Sequence, residues 1–473
     1  MMPDVDPHAD LSRLIGQEYA KLVAQPEPAT APDLLSQHFS DYGNARRIID
    51  LHGSNLRYCH AFKKFLLWDD RRWAVDEGER TRDLAQVTIL EFARQSLAAN
   101  DKEAAKFAAR CLNSQRISNA LREAQPHLAI RPTDLDTHPQ LLNFQNGTVD
   151  LKRAILIPHQ REHFLTKLVH FKYDADAQCP TFLAFLQCIT ANHPGLISYL
   201  QRAFGYSLTG HTGEKAVFLL FGRGDNGKTT LLALFLRLLE EYAVLLQIDT
   251  LMVRAESSNT QADLADLRGA RFVMTSETEE GQRLAEGKLK RITQGMGRIK
   301  ATRKYENPIE FPESHKLWID ANHQPIIRGT DNAIWNRLHP VPFDVTIPKA
   351  AQDMGLPAKL LAEAEGILTW AVAGAVCWYR GGLGKPFDVE QAGQTWRTES
   401  DQIGRFIQDA CVTGDYAQAK ARQLYAAYRT WAEESGEHPL PEKVFGERMA
   451  ERHSKKKEAF GNVYLGIGLA ETR

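Results

Sequence analysis

The residues best placed to do chemistry are the octapeptide GRGDNGKT at 222–229. It fits G-x-x-x-x-G-K-[ST] directly after the apolar run 216–221 and directly before a helical run at 231–239. Gly222, Gly224 and Gly227 let the backbone turn its N–H groups toward phosphate oxygens, and the helix start adds the positive end of its dipole. In such a loop Lys228 meets the β- and γ-phosphates and the Thr229 hydroxyl serves Mg²⁺, while Asp225, Asn226 and Thr230 complete the phosphate-binding set. The chemistry implied is transfer or hydrolysis of a nucleoside triphosphate. The loop alone does not choose between a kinase, a GTPase and an ATP-driven motor, although no Asn-Lys-x-Asp guanine motif is present.

A second carboxylate is needed to hold magnesium and orient attacking water. The segment RFVMTSETEE at 271–280 supplies it: the apolar strand stops at Met274 and acids begin at Glu277, with Glu279 and Glu280 as competitors. A third strand, HKLWIDAN at 315–322, ends in Asn322, which can orient water beside the γ-phosphate or simply form a turn. Arg337, after an aromatic and before Pro340 and Pro342, reads either as an arginine finger offered to a neighbour's ATP or as a surface arginine. Between the acidic and Asn strands lies a run of positive charge that includes Lys290, Arg298, Lys300, Arg303 and Lys304, uninterrupted by an acid. Gly295 and Gly297 permit a tight turn, and alternation around Ile299 and Ala301 predicts one arm of a hairpin. A groove lined this way neutralises the phosphates of a single strand; the bland alternative is a solvated basic face.

These residues must be held by a sizeable scaffold. At about 150 residues per domain, 473 residues make roughly three domains. Hydrophobic residues are 43% and charged residues 25%, an ordinary globular balance, and the net charge of −1 means that any nucleic-acid affinity must come from a local patch. The six cysteines, Cys59, Cys111, Cys179, Cys188, Cys377 and Cys411, contain no C-x-x-C pair and read as reduced core thiols. The longest apolar run, 367–379, is shorter than the ~18 to 20 residues that span a bilayer and reads as a buried helix. No membrane partner and a reducing, cytoplasmic setting are expected.

Along the chain, three prolines within 25–32 mark a linker. Helical periodicity follows at 85–97 and 103–124, with Phe65, Trp68 and Trp73 as aromatic anchors, and Asn146-Gly147 predicts a hairpin turn. Short apolar runs at 216–221, 272–274 and 317–319, separated by helical segments, predict an α/β layer structure with a largely parallel sheet. From 401 onward the pattern is helical and then ends in a β-ribbon over 462–469. Leu424, Tyr428 and Trp431 form one helix face; a second helix over 442–453 turns Val444, Phe445 and Met449 inward and puts Arg448 and Arg452 on one face. With Lys455, Lys456 and Lys457 this reads as a winged-helix-like module that docks either duplex DNA or protein.

Taken together these motifs resemble superfamily 3 helicases of the phage and plasmid primase-helicase group, which includes a poxvirus replication helicase. The phosphate loop with Asn226 before Gly-Lys-Thr, the acidic SETEE, Lys290 with Thr293, and NHQP at 322–325 followed by 335–343 fall in the family's order. YGNARR at 42–47, WDDRRW at 68–73 and LNFQNG at 142–147 resemble the helical domain that precedes the motor, so the similarity covers about residues 36 to 400. The resemblance implies a P-loop, AAA+-like core that binds ATP and Mg²⁺. It also implies a ring, usually hexameric, that translocates on single-stranded DNA in the 3′ to 5′ direction. By it Glu277 is the Walker B acid and a metal ligand with Thr229, Asn322 the sensor, Arg337 the finger acting across subunits, and Lys290, Arg298 and Lys300 part of a DNA-contacting pore hairpin. The sequence departs from relatives at QGMG, 294–297, where they show Gly-Gly-Asp. The implied division is a leader at 1–35, a mainly helical domain at 36–165, the ATPase at 166–398 and the winged-helix-like part at 399–473. Relatives carry a primase upstream; with about 35 residues before the helical domain and a lone D-x-D at 134–136, primer synthesis is expected to reside in a separate primase or initiator. Forked DNA and further copies of the chain are the other expected partners. The rival from another class is an ATP-switched origin-binding or loader protein that never unwinds.

Overall fold

The computed structural model describes residues 32–253, 260–278, 283–302, 308–329, 331–458 and 461–470. Its first part is less helical than the periodicity predicts. Helices Asp41–His52, Arg80–Ala98, Lys102–Cys111 and Ser114–Ala124 pack beside an antiparallel sheet of β1 (Leu56–Cys59), β2 (Lys64–Trp68) and β3 (Trp73–Val75). The aromatic anchors Phe65, Trp68 and Trp73 are strand residues. Their hairpin is made by Asp69, whose Oδ1 accepts from the main-chain N–H of Arg71 (3.0 Å) and Arg72 (2.8 Å), a local closure that competes with helix. The single helix expected over 103–124 is broken because Asn113 caps a new one, accepting from the N–H groups of Gln115 and Arg116.

A second antiparallel sheet follows: β4 (Leu141–Phe144), β5 (Gly147–Asp150) and β6 (Ile155–Ile157). The hairpin sits one residue earlier than Asn146-Gly147 suggests, since Phe144 pairs with Gly147 and the turn is Gln145-Asn146. Asn146 keeps its turn role and its side chain pins the turn, donating to the Tyr173 carbonyl and accepting from the Tyr173 N–H, each at 2.9 Å, while Gly147 joins β5.

The centre is a five-stranded sheet of β7 (Val217–Phe221), β8 (Ala243–Leu246), β9 (Phe272–Thr278), β12 (Lys316–Ala321) and β13 (Leu338–Pro342), with a separate hairpin of β10 (Arg298–Ala301) and β11 (Ile309–Pro312). Every pairing in the central sheet is parallel and the strand order is β13-β7-β12-β9-β8. Both faces are covered, which is why these strands read as continuous apolar runs. On one face Phe218, Leu220, Phe272 and Trp318 pack under helices Pro194–Leu208, Lys228–Leu239 and Ala364–Gly381; Phe204 stacks on Phe235 at 3.8 Å and on Trp318 at 4.3 Å. Val217, Leu219, Val273, Leu317 and Ile319 pack on the other face with Leu264, Leu289, Ile334 and Trp396. The apolar run 367–379 is indeed helical and buries Ile367, Leu368, Ala371, Val372 and Ala375. Among the described residues no single helix is long and apolar enough to cross a membrane.

The last part has its own core, in which Leu424, Tyr428, Phe445 and Met449 are buried and Val444 and Trp431 pack against them, as the helical spacing predicts. Helices Gln402–Ala410, Ala421–Glu434 and Glu442–Ala450 lie with a sheet of β14 (Cys411–Lys420), β15 (Lys455–Glu458) and β16 (Gly461–Leu469), in the order β14-β16-β15. The ribbon is therefore three-stranded. β14 was expected to be helical; its polar, mostly exposed sequence shows no clean alternation because its register against β16 shifts between Thr413 and Gln418. All six cysteines are free, but Cys188 and Cys377 are exposed rather than in the core. Each sits on the outward side of a helix that buries its other face.

Candidate functional site

The loop from β7 to helix Lys228–Leu239 is fixed by its own chain. Asn226 Nδ2 donates to the carbonyls of Arg223 (2.6 Å) and Phe343 (3.1 Å), and the Ile347 N–H reaches the Asp225 carbonyl at 2.8 Å. Two glycines are required. Gly222 has φ +147 and an added Cβ would lie 2.2 Å from the Phe343 oxygen; Gly227 has φ +83 and its Cβ would lie 2.6 Å from Ile189 Cγ2. Gly224 faces open space, so the steric role expected of it is not required. Buried Lys228 folds its ammonium onto the Gly222 carbonyl and Asn226 Oδ1, both at 2.9 Å, which gathers cation, loop and helix start at one point.

Because the sheet is parallel, all its strands deliver their carboxyl ends to this edge. Glu277 lies near the end of β9, and Asn322 directly follows β12. Glu279, Glu280, Arg303 and Lys304 lie outside the described residues. A residue that sequence reading missed completes the edge: Thr229 Oγ1 donates to Asp320 Oδ2 at 2.5 Å, and Asp320 is buried. Its signal was a lone acid inside an apolar run. Among the described residues no group of three His, Cys, Asp or Glu side chains is assembled to hold a metal.

Arg337 is at the opposite edge. Leu338 pairs with Val217 and the Arg337 carbonyl accepts from the Val217 N–H, so Arg337 stands at the amino end of β7, a strand length of roughly 17 Å from the loop. Its guanidinium donates to the carbonyls of Thr293 and Ala333. The basic hairpin stands at that edge too. Arg298 and Lys300 point outward while Ile299 and Ala301 are buried, confirming the alternation, but acids dilute the charge: Arg298 approaches Glu310 at 3.6 Å and Lys290 pairs with Asp331.

Beneath the hairpin lie buried ionisable groups. Burial pushes the Glu313 carboxyl up to about 7, against N–H groups of Gly295, Gln294 and Gly297 that favour its charged form. Burial, with Arg271 nearby, drives the Lys316 ammonium well below its usual range, although it bonds the carbonyls of Thr209, His211 and Ser314. Arg271, itself lowered by burial, donates to the carbonyls of Leu208 and Leu141, both at 2.6 Å. In the last part of the chain, Arg448 donates to the Arg328 carbonyl and Arg452 Nη2 donates to both carboxylate oxygens of Asp401 at 2.7 and 2.8 Å, so both basic residues expected on one face are engaged within the chain.

Comparison with known proteins places three family models along the chain. "D5 N terminal like" matches residues 45–191, a family of unknown function (DUF5906) residues 220–337, and "Poxvirus D5 protein-like" residues 398–465. A helicase-named protein of Acanthamoeba polyphaga mimivirus is 25% identical over 420 residues, 79% of this chain and 44% of the relative. One from Frog virus 3 (isolate Goorha) is 25% identical over 275 residues, 54% of this chain and 28% of the relative, and one from Invertebrate iridescent virus 6 is 24% identical over 302 residues, covering 61% and 30%. The chain thus spans less than half the length of each. A solved structure of the NrS-1 C terminal region is similar with a TM-score of 0.48 at 10% identity, covering 88% of this chain and 96% of that one.

Proposed function

We propose that this chain, a D5-type superfamily 3 helicase, hydrolyses ATP with Mg²⁺ at the carboxyl edge of its central sheet and uses it to drive replicative unwinding for a phage, prophage or plasmid. In this reading the sheet is a P-loop, AAA+-like core, the final part is a winged-helix-like module, and the motor is a ring, of six subunits by resemblance, moving 3′ to 5′ on single-stranded DNA. Forked DNA, other copies of the chain and a separate primase or initiator are its partners.

One observation carries the reading: the phosphate loop and Arg337 occupy opposite ends of the same sheet. Lys228 and Thr229 open the helix after the loop, Glu277 lies near the end of β9 and Asn322 follows β12 at the same edge, yet the finger is a strand length away, so a complete site needs the Arg337 of a neighbouring copy. ATP phosphates would take over the bonds that Lys228 now makes to Gly222 and Asn226, and Asn226 would keep the loop open through its bonds to Arg223 and Phe343. Thr229 and Glu277 would hold the magnesium ion, which supplies charge neutralisation at the transferring phosphoryl group. Glu277 or Asn322 orients water, and Lys290, Arg298 and Lys300 carry DNA at the other edge, with Arg303 and Lys304 given the same role by their place in the basic run of the sequence. Because Arg298 and Lys290 already have acidic neighbours, the alternative of an ATP-switched origin-binding or loader protein keeps a specific footing.

The test is steady-state ATP hydrolysis by wild type and Arg337→Ala, with and without single-stranded DNA, alongside particle size by light scattering. DNA-stimulated turnover in a large ring, lost in the variant although ATP still binds, is the expected result. Slow turnover from a monomer, indifferent to DNA and to Arg337, would overturn it.

A further inference from the structure

We infer that Asp320 is the positioning carboxylate for the Thr229 hydroxyl at the metal-facing edge of the phosphate loop, so that the acidic duties of the site are divided between two strands. The inference rests on the ATP-site reading above. In P-loop enzymes a carboxylate on a neighbouring strand holds the metal together with the loop Ser or Thr. The expected source here is β9, but its sequence FVMTSET contains one acid, Glu277, preceded by Ser276. The acceptor that Thr229 finds is instead on β12, the strand inserted between β7 and β9.

Three features point the same way. Asp320 pairs in register with Leu220, the residue before the last of β7, which puts it level with the start of the phosphate loop. Asp320 is only 2% exposed at the end of an otherwise apolar run, a costly place for a carboxylate that did nothing. The third is a bulge: Ile319 pairs with Thr275 and Ala321 with Thr278, so Ser276 and Glu277 together oppose the single residue Asp320. Such two-against-one irregularities recur beside active sites, where they re-aim a side chain. This one brings both acids to the same level of the sheet. A hydroxyl has one proton and two lone pairs. With the proton committed to Asp320, the lone pairs of Thr229 are left for the cation that Glu277 would hold from β9.

The experiment measures ATP binding by calorimetry with Mg²⁺ and with EDTA, and Mn²⁺ binding by electron paramagnetic resonance with ATP present, for the full chain and for Asp320→Asn. Asparagine keeps the shape and an acceptor oxygen but loses the charge. The expected result is metal-free ATP affinity near wild type, with the gain contributed by Mg²⁺, and the Mn²⁺ affinity, reduced by about tenfold or more. Undiminished metal dependence in Asp320→Asn would overturn the inference. If Asp320→Asn fails to fold, Thr229→Ala and Asp320→Glu replace it: loss of metal dependence in the first and its retention in the second support the assignment, and the reverse overturns it. Absence of ATP binding by wild type, matched by Lys228→Ala, would instead sink the ATP-site reading itself.

Discussion

The two ends of the central sheet are built on different principles. At the carboxyl edge three polar side chains of the loop and helix start answer to their own chain: Lys228 to Gly222 and Asn226, Asn226 to Phe343, Thr229 to Asp320. At the amino edge Arg298 is held by one ion pair and Arg337 by carbonyls that a stronger acceptor could replace, while Lys300 points outward beside them. The loop at one edge is finished by bonds within the chain, whereas in the proposed ring the groups at the other are left to meet DNA and a neighbouring copy. Five parallel strands join them, so a displacement at one edge reaches the other through a packed sheet.

Breaking the finished edge should have the largest effect. Lys228→Ala removes phosphate contact and charge stabilisation together, and phosphate-release assays should show turnover reduced by about a hundredfold or more. Next comes the test of the unfinished edge. Arg337→Ala should lose hydrolysis while ATP binding persists, and mixing it with Lys228→Ala subunits should restore part of the turnover, because some interfaces then carry an intact loop facing an intact finger; no recovery would place Arg337 outside the shared site. Smaller still, Arg298→Ala with Lys300→Ala should weaken single-strand binding and lower its logarithmic salt slope by about 1.4, measured by fluorescence anisotropy across a salt series.

The glycines sharpen the contrast within the loop itself. Gly227→Ala meets Ile189 at positive φ and should cost ATP affinity and thermal stability, whereas Gly224→Ala, in open space, should change either by less than about 0.5 kcal/mol. On turnover, the smallest effect belongs to Glu313, whose signature is in stability. Burial moves its carboxyl from the ordinary 4.5 of an unfolded chain up to about 7 in the folded one, so the folded form holds an extra proton between these values and stability falls as pH rises through that window. Glu313→Gln should flatten the slope of denaturant midpoints between pH 5 and 7; an unchanged slope would remove Glu313 as its source.

The sheet and phosphate loop were legible because parallel strands buried on both faces leave short apolar runs, and the loop glycines punctuate them. The N-terminal strands were not, since Phe65, Trp68 and Trp73 fit a helical region until the Asp69 turn is seen to close the chain locally. β14 escaped because a register shift erased its alternation. That Lys228, Thr229, Glu277 and Asn322 come to the carboxyl edge of the sheet was readable from the apolar runs before them. Asp320 was not, because its meaning depends on contact with a residue 91 positions earlier. Nor could the sequence show that Arg337 stands at the far edge, which follows only from the pairing of Leu338 with Val217.

The buried guanidinium of Arg271 bears on where the chain can be cut. Its partners include the carbonyls of Leu141 and Leu208, and its ring neighbour is Tyr242 at 4.8 Å. A recombinant fragment trimmed to 166–398 would keep the cation but discard the Leu141 carbonyl, leaving a dry positive charge short of an acceptor. Limited proteolysis should therefore spare the segment around 138–141 for as long as the sheet itself survives, and a soluble minimal motor would have to start upstream of it.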